Sequence, residues 1–431
     1  MTEDVIDELH RRGLIAQSTD EAALRAHLAE GPVTYYCGFD PTAQSLHVGN
    51  LVQFMVLRAL QRAGHQPVVL VGGATGLIGD PGGRSSERQL NDRGVVADWV
   101  QRIRRQVAPF LDLPAETEGL KGPIYVDNLE WTAPVSAIDF LRDIGKHFRV
   151  SQMLAREAVS ARLNSEAGIS YTEFSYQILQ ANDYRELFRR SGVTLQTGGS
   201  DQWGNLTAGI DLVRRTEGAK VHALATPLVT KSDGTKFGKS EGGAIWLDPA
   251  LTSPYAFFQF WLNADDADAR AWLPLFSERP ADELDALIAE SIERPAARTA
   301  QRALAEELTL LVHGSEQLQQ AEAAGRALFG RDDLGSLAAE TLGAALEEAG
   351  AVRVDGDVPS VAQLMQLTGL VSSLSEARRT VKEGGAYLNN ERVTDADAVP
   401  ADDAWLAGGW LVLRRGKRAI AGVQRSVGTR A

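Results

Sequence analysis

The chain has 431 residues, 44% of them hydrophobic and 23% charged, with a formal net charge of −13 and a single cysteine. The length exceeds one typical domain, so two or three are expected, and so acidic a chain is not built to coat nucleic acid indiscriminately. No apolar run approaches a membrane span, the opening "MTEDVIDELHRR" is acidic where a secretory leader would be basic, and a lone Cys37 excludes an internal disulfide or a cysteine-held zinc. These features together predict a cytoplasmic protein with no membrane partner and no protein-bound metal.

In chain order, Val33–Cys37 reads as a buried strand that feeds "FDPTAQSLHVGNL", and a helix follows from about Gly49 to Ala63. A turn needs far less polar chemistry than this junction carries, which points to a ligand. Val68–Val71 enters the glycine-rich "GGATGLIGDPGG", and a short strand at Ile124–Val126 ends in Asp127 and Asn128. Strands alternating with helices predict a parallel sheet with ligands at the carboxyl ends of its strands. Thr172–Phe188 reads as one helix with Tyr176, Gln180 and Asp183 on a polar face, and "LQTGGSDQWGN" opens another.

Beyond Trp246 the texture changes. Ser253–Gly350 has helical spacing and no convincing strand, Glu347–Ser360 reads as a linker, and Ser373 with Glu376 forms a capping-box pattern. "AYLNNERV" and "WLVLRRGKRAIAGV" read as strands around Asn-Asn and Arg-Gly turns. From Ser360 onward ten Lys/Arg face seven Asp/Glu, a local +3 that leaves −16 for the remainder.

Two loops carry chemistry. His47 and Asn50 are three apart, on one face of a first helical turn whose free N–H groups and dipole favour phosphate. A histidine there is by itself more often a cap. "KSDGTKFGKS" (231–240) puts three lysines on a glycine-containing loop, suited to a leaving group whose charge grows in the transition state. No GxxxxGK[ST] pattern occurs, so phosphate is not handled by a P-loop.

"HVGN" resembles the HIGH signature and "KFGKS" the KMSKS signature of class I aminoacyl-tRNA synthetases. With "YYCGFDPTAQSLHVGN", "GGATGLIGDP", "YTEFSYQILQANDY" and "GGSDQWGN", the whole chain resembles the bacterial tyrosyl-tRNA synthetases. The resemblance implies activation of tyrosine with ATP and Mg²⁺, transfer to tRNA(Tyr), and a homodimer. It implies an α/β fold: a Rossmann-like parallel-sheet catalytic domain (1–228), a connecting loop (229–248), an α-helical domain on the anticodon side (249–346), a linker (347–359) and a small α+β RNA-binding domain (360–431).

By the same resemblance, Tyr36 and Asp183 meet the substrate phenol, Tyr176, Gln180 and Asp80 its ammonium group, and Gln202 its carboxylate. The nucleotide side is implied at Cys37, Gly38, Asp40, Gly49, Gly199, Asp201 and Lys239, and catalysis at Thr42, His47, Asn50, Arg84, Arg88, Lys236 and Lys239. Asn50 stands where the signature has histidine, and Arg84 where the family often has lysine. For tRNA the implied contacts are Arg378, Arg379, Lys382, Arg414, Arg415, Lys417 and Arg418, basic clusters of the kind that neutralise phosphates. A tryptophan-specific relative, pantothenate synthetase and an RNA-binding protein that has lost catalysis are the competing readings. The Tyr36/Asp183 pair and intact His47, Lys236 and Lys239 speak against them.

Overall fold

The computed structural model describes residues 4–82, 90–111, 120–164, 168–235, 237–240, 243–329, 332–416 and 419–426. The chain divides into two compact units, Met1–Asp248 with Asp265–Ala300, and Pro249–Ala264 with Gln301–Ala431.

The first unit is built on a six-stranded sheet of β1 (Gln17–Ser18), β2 (Thr34–Phe39), β3 (Gln66–Val71), β4 (Ile124–Asp127), β5 (Val193–Gly199) and β6 (His222–Thr226). The order is β1-β6-β5-β2-β3-β4, with β1 antiparallel to β6 and every other pair parallel. From β2 the chain steps to β3 on one side and later to β5 on the other, so the carboxyl ends of β2 and β5 form the switch point where such sheets bind ligands. Helix Leu51–Arg62 is free of Gly and Pro and made largely of strong helix formers. It lies between β2 and helix Arg93–Leu111: the Phe54 ring stacks on Phe39 at 5.2 Å and on Phe110 at 4.3 Å. Helix Tyr171–Ser191 starts at Ser170, whose side chain accepts from Glu173 N, and ends at left-handed Gly192. The short pair β7 (Lys239–Ser240) and β8 (Gly243–Ala244) comes after β6.

The second unit holds helices Pro254–Leu262, Thr299–Leu328 and Ala339–Ala349, the long one broken at Gly314 (φ 84°). Its sheet comprises β9 (Ala351–Val354), β10 (Ala386–Leu388), β11 (Glu391–Arg392), β12 (Trp410–Arg415) and β13 (Ala419–Arg425) in the order β11-β10-β12-β13-β9. Asn389 and Asn390 both take positive φ in the β10–β11 turn, as the Asn-Asn pair predicts.

Two expected boundaries differ. The stretch 347–359 is not an irregular linker: helix Ala339–Ala349 enters it, and β9 pairs in parallel with β13 as the sheet's edge. Within the expected helical domain, residues 265–300 belong instead to the first unit, because helix Asp266–Phe276 packs on Phe237 there and Glu278 pairs with Arg58 at 2.7 Å. The capping box at Ser373 is also altered. Ser373 accepts from Glu376 N, but the Glu376 carboxylate turns to Ser372 N and Oγ, one residue earlier.

Candidate active site

A cavity of about 590 Å³ opens at the carboxyl ends of β2 and β5. Tyr36, Cys37, Gly38, Asp40, Thr42, His47, Gly49, Asn50, Asp80, Tyr176, Gln180, Asp183, Gly199, Asp201 and Gln202 all line it. Residues from Tyr36 to Gln202 are thus brought to one place by strand ends and helix starts.

At one end lies Asp183, 2% exposed, with one carboxylate oxygen accepting from Trp131 Nε1 (2.8 Å) and the other from Asn128 Nδ2 (2.9 Å). Tyr36, 1% exposed, packs edge-on against Tyr184, and its buried hydroxyl has no hydrogen-bond partner among the described residues. A buried hydroxyl left without a partner costs about 1–3 kcal/mol, so a ligand whose polar group meets Tyr36 is favoured over one that offers it none. Burial pushes the Asp183 carboxyl up to about 8, Asp40 and Asp127 add to the rise, and its two N–H donors oppose it.

The sign of that shift is testable. Between the ordinary carboxylate range, about 4, and about 8, the folded chain keeps a proton that the unfolded chain has released, so stability falls as pH rises through that window and levels above it. A phenol donates best to the ionised form. Tyrosine affinity is therefore expected to rise towards pH 8 by no more than about tenfold per unit. Titrations of tyrosine binding and urea midpoints across the window check both trends; if Asp183→Asn keeps both slopes, another group is responsible.

Further along the cavity, Asp40 accepts from Thr75 Oγ1 and from the Tyr176 hydroxyl, each at 2.6 Å. Asp80 accepts from Gln202 Nε2 at 2.9 Å, and Gln202 in turn accepts from Asn205 at 2.9 Å. Gln180 Oε1 is buried with no partner among the described residues, an acceptor in want of a donor. Burial raises the Cys37 thiol to about 12, which keeps it neutral; its sulfur lies 3.8 Å from Gln53 Oε1, whose amide nitrogen donates to Thr226 Oγ1.

At the other end, the chain turns at His47 before helix Leu51–Arg62. His47 N donates to Asn50 Oδ1 and Gly49 N donates to His47 Nδ1, both at 3.0 Å. With Nδ1 as acceptor, the neutral ring carries its proton on Nε2 and presents a donor. A Cβ at Gly49 would sit 2.7 Å from the His47 ring, so a side chain there would displace the ring. Val48 N donates to Ile245 O and Ile245 N to Gly238 O, which lays the end of the lysine loop beside the His47 turn. Lys239 lies in β7, and its side chain, Lys236, Arg84 and Arg88 lie outside the described residues.

In the second unit the expected basic residues divide. Arg378 pairs with Asp397 at 2.7 Å, Arg415 with Glu376 at 2.9 Å, and Arg414 stacks over Tyr387 at 4.6 Å. Arg379 and Lys382 are exposed on helix Leu374–Lys382. Lys417 and Arg418 lie outside the described residues.

Asn128 and Trp131, which hold Asp183, are not among the site residues expected from the sequence, nor are Thr75, Asn205 and Gln53. The one available signal was position: Asn128 directly follows the carboxyl end of β4.

The family described as tRNA synthetases class I (W and Y) matches residues 28–330, and the Tyrosine--tRNA ligase SYY-like C-terminal domain matches 343–421. The chain is 61% identical to the tyrosine--tRNA ligase of Acidothermus cellulolyticus, over 98% of this chain and 99% of that protein. It is also 61% identical to that of Streptomyces avermitilis, with the same coverage. Among solved structures, a C-terminally truncated mitochondrial tyrosyl-tRNA synthetase from Aspergillus nidulans superposes with a TM-score of 0.69 at 30% identity, covering 76% of this chain and 94% of that one. A site at the switch point of a parallel sheet, both family matches and near-full-length identity agree: the chain belongs to the tyrosine–tRNA ligase family of class I tRNA synthetases.

Proposed function

We propose that this chain activates tyrosine with ATP, giving tyrosyl-adenylate and pyrophosphate, and then transfers tyrosine to the 3′ end of tRNA(Tyr). The observation that carries the reading is the buried Tyr36 hydroxyl, without a partner among the described residues, in the same cavity as the buried Asp183: a phenol can hydrogen-bond there and a phenyl ring cannot. In this reading Tyr176, Gln180 and Asp80 receive the ammonium group and Gln202 lies by the carboxylate. A carboxylate oxygen attacks the α-phosphorus in line; the bond to the bridging oxygen breaks, and pyrophosphate carries away the electron pair. No side chain acts as a covalent nucleophile. Positioning and charge stabilisation supply the rate.

Cys37, Gly38, Asp40, Gly49, Asn50, Gly199 and Asp201 would face adenosine and ribose, Thr42 and His47 the γ-phosphate, and Arg84, Arg88, Lys236 and Lys239 the departing pyrophosphate. The cavity's carboxylates Asp40 and Asp80 already accept protein donors, which suits a Mg²⁺ ion carried on the ATP phosphates, where it would neutralise their charge. A homodimer belongs to the same proposal; a monomer in sedimentation velocity would contradict it. No helix among the described residues is long and apolar enough to cross a membrane.

The C-terminal sheet unit is assigned to tRNA. Since Arg378 and Arg415 are engaged within the chain, Arg379 and Lys382 are the better phosphate contacts. Arg379→Gln with Lys382→Gln should weaken tRNA binding and reduce the slope of log affinity against log salt by about 0.7–0.9 for each phosphate no longer neutralised, with pyrophosphate exchange unchanged. An unaltered salt slope would remove this helix from the RNA interface.

A further inference from the structure

The loop that carries Lys236 and Lys239 touches a helix far along the chain. Ser232 N donates to Asp268 Oδ1 at 2.7 Å, and Trp272 Nε1 donates to Thr230 O at 3.2 Å. The Phe237 ring meets Trp272 edge-on at 4.8 Å and stacks on Phe276 at 5.4 Å. All three partners lie on helix Asp266–Phe276, and Asp268, in its first turn, is 3% exposed.

On its other side the loop meets the nucleotide end of the cavity. Gly238 has φ +77°, and a Cβ there would lie 2.7 Å from Val48 Cγ2, so the backbone passes directly over the His47 turn. The helix that grips the loop is itself tied to the sheet's core: just beyond its end Arg12 donates to Ser277 O, and Glu278 pairs with Arg58 and Arg62 of helix Leu51–Arg62. That last helix begins at the His47 turn. One rigid element therefore bears both the histidine turn and, through Glu278, the anchor of the lysine loop.

An acid in a helix's first turn is favoured by the dipole whether or not it reaches a loop. Its bond to a loop amide is a separate matter: a part-buried hydrogen bond that fixes the backbone four residues before Lys236. We propose that Asp268 and Trp272 are positioning residues for adenylate formation. They hold Thr230, Ser232 and Phe237 on the helix and so set the loop backbone at Gly238 in register with the His47 turn; their loss slows the bond-forming step and leaves tyrosine binding intact. The inference rests on the function proposed above.

Full-length Asp268→Ala, Asp268→Asn and Trp272→Phe variants test it by tyrosine-dependent pyrophosphate exchange, with tyrosine binding followed separately by fluorescence. Misplacement of a reacting group by about an ångström can cost on the order of 100-fold, so Asp268→Ala is expected to lose about 10- to 100-fold in kcat with the tyrosine KM within about twofold. Asp268→Asn keeps an acceptor oxygen and should recover to within about fivefold of the parent. Trp272→Phe keeps the ring and loses only the N–H donor; it should lose several-fold in kcat with an unchanged melting midpoint. Parent-like kcat in Asp268→Ala, or a tyrosine KM that rises as kcat falls, overturns the proposal. Should Asp268→Ala not fold, Trp272→Phe decides alone, and a parent-like kcat there overturns it. Absence of exchange in the parent chain would instead defeat the proposed function.

Discussion

Tyr36→Phe is expected to lower the preference for tyrosine over phenylalanine by about 10- to 100-fold, the worth of one buried polar partner at about 1–3 kcal/mol. The variant should not be less stable. The Tyr36 hydroxyl bonds to no described residue, so its removal breaks no hydrogen bond within the fold and the melting midpoint should hold. This combination separates a binding role from a structural one: a hydroxyl serving the fold would lose stability and leave selectivity alone. Asp183 behaves differently. Its carboxylate satisfies Asn128 and Trp131, so Asp183→Ala orphans two buried donors and should lower the melting midpoint along with tyrosine binding. Exchange kinetics with both amino acids, run beside thermal melts, check the pair. Unchanged selectivity in Tyr36→Phe means that the phenol lies elsewhere.

His47→Ala and Lys239→Ala are each expected to slow adenylate formation by about 2–4 kcal/mol of barrier, roughly 30- to 1000-fold, with little change in tyrosine affinity. Charge gathers on the departing pyrophosphate only as its bond breaks, so groups that meet it there stabilise the transition state and not the bound substrate. For His47 the structure adds a second consequence. Its Nδ1 accepts from Gly49 N, so alanine also releases a cap at the entry to helix Leu51–Arg62. Capping bonds are worth about 0.5–2 kcal/mol, and His47→Asn should recover part of the stability without the rate. Pre-steady-state rates of adenylate formation, set against tyrosine binding, distinguish these effects. A parallel loss of tyrosine affinity would contradict the assignment.

What the sequence disclosed came from local signals. The β-branched run at Val68–Val71 and the helical patterns from about Gly49 to Ala63 and over Thr172–Phe188 are local, and the structure has strand Gln66–Val71 and helices Leu51–Arg62 and Tyr171–Ser191 there. Hidden features depend on distant pairing. "AVRV" between Gly350 and Gly356 has too little pattern to mark a strand; β9 exists because β13, some seventy residues on, offers an edge. Residues 265–300 share the helical texture of helix Thr299–Leu328, and spacing alone does not tell which body a helix packs on. The same limit applies to the site. Motifs brought Tyr36, Asp183 and His47 into view, whereas Asn128, Trp131 and Asp268 act through contacts that only the fold creates.

The most direct test of the account is tyrosine-dependent exchange of pyrophosphate into ATP by the full-length chain, with phenylalanine and tryptophan as the alternatives. The site predicts rapid exchange with tyrosine, and far slower exchange with phenylalanine, which offers the Tyr36 hydroxyl no partner, and with tryptophan, whose indole replaces the phenol. Exchange with none of the three, or exchange driven as well by phenylalanine as by tyrosine, would contradict it.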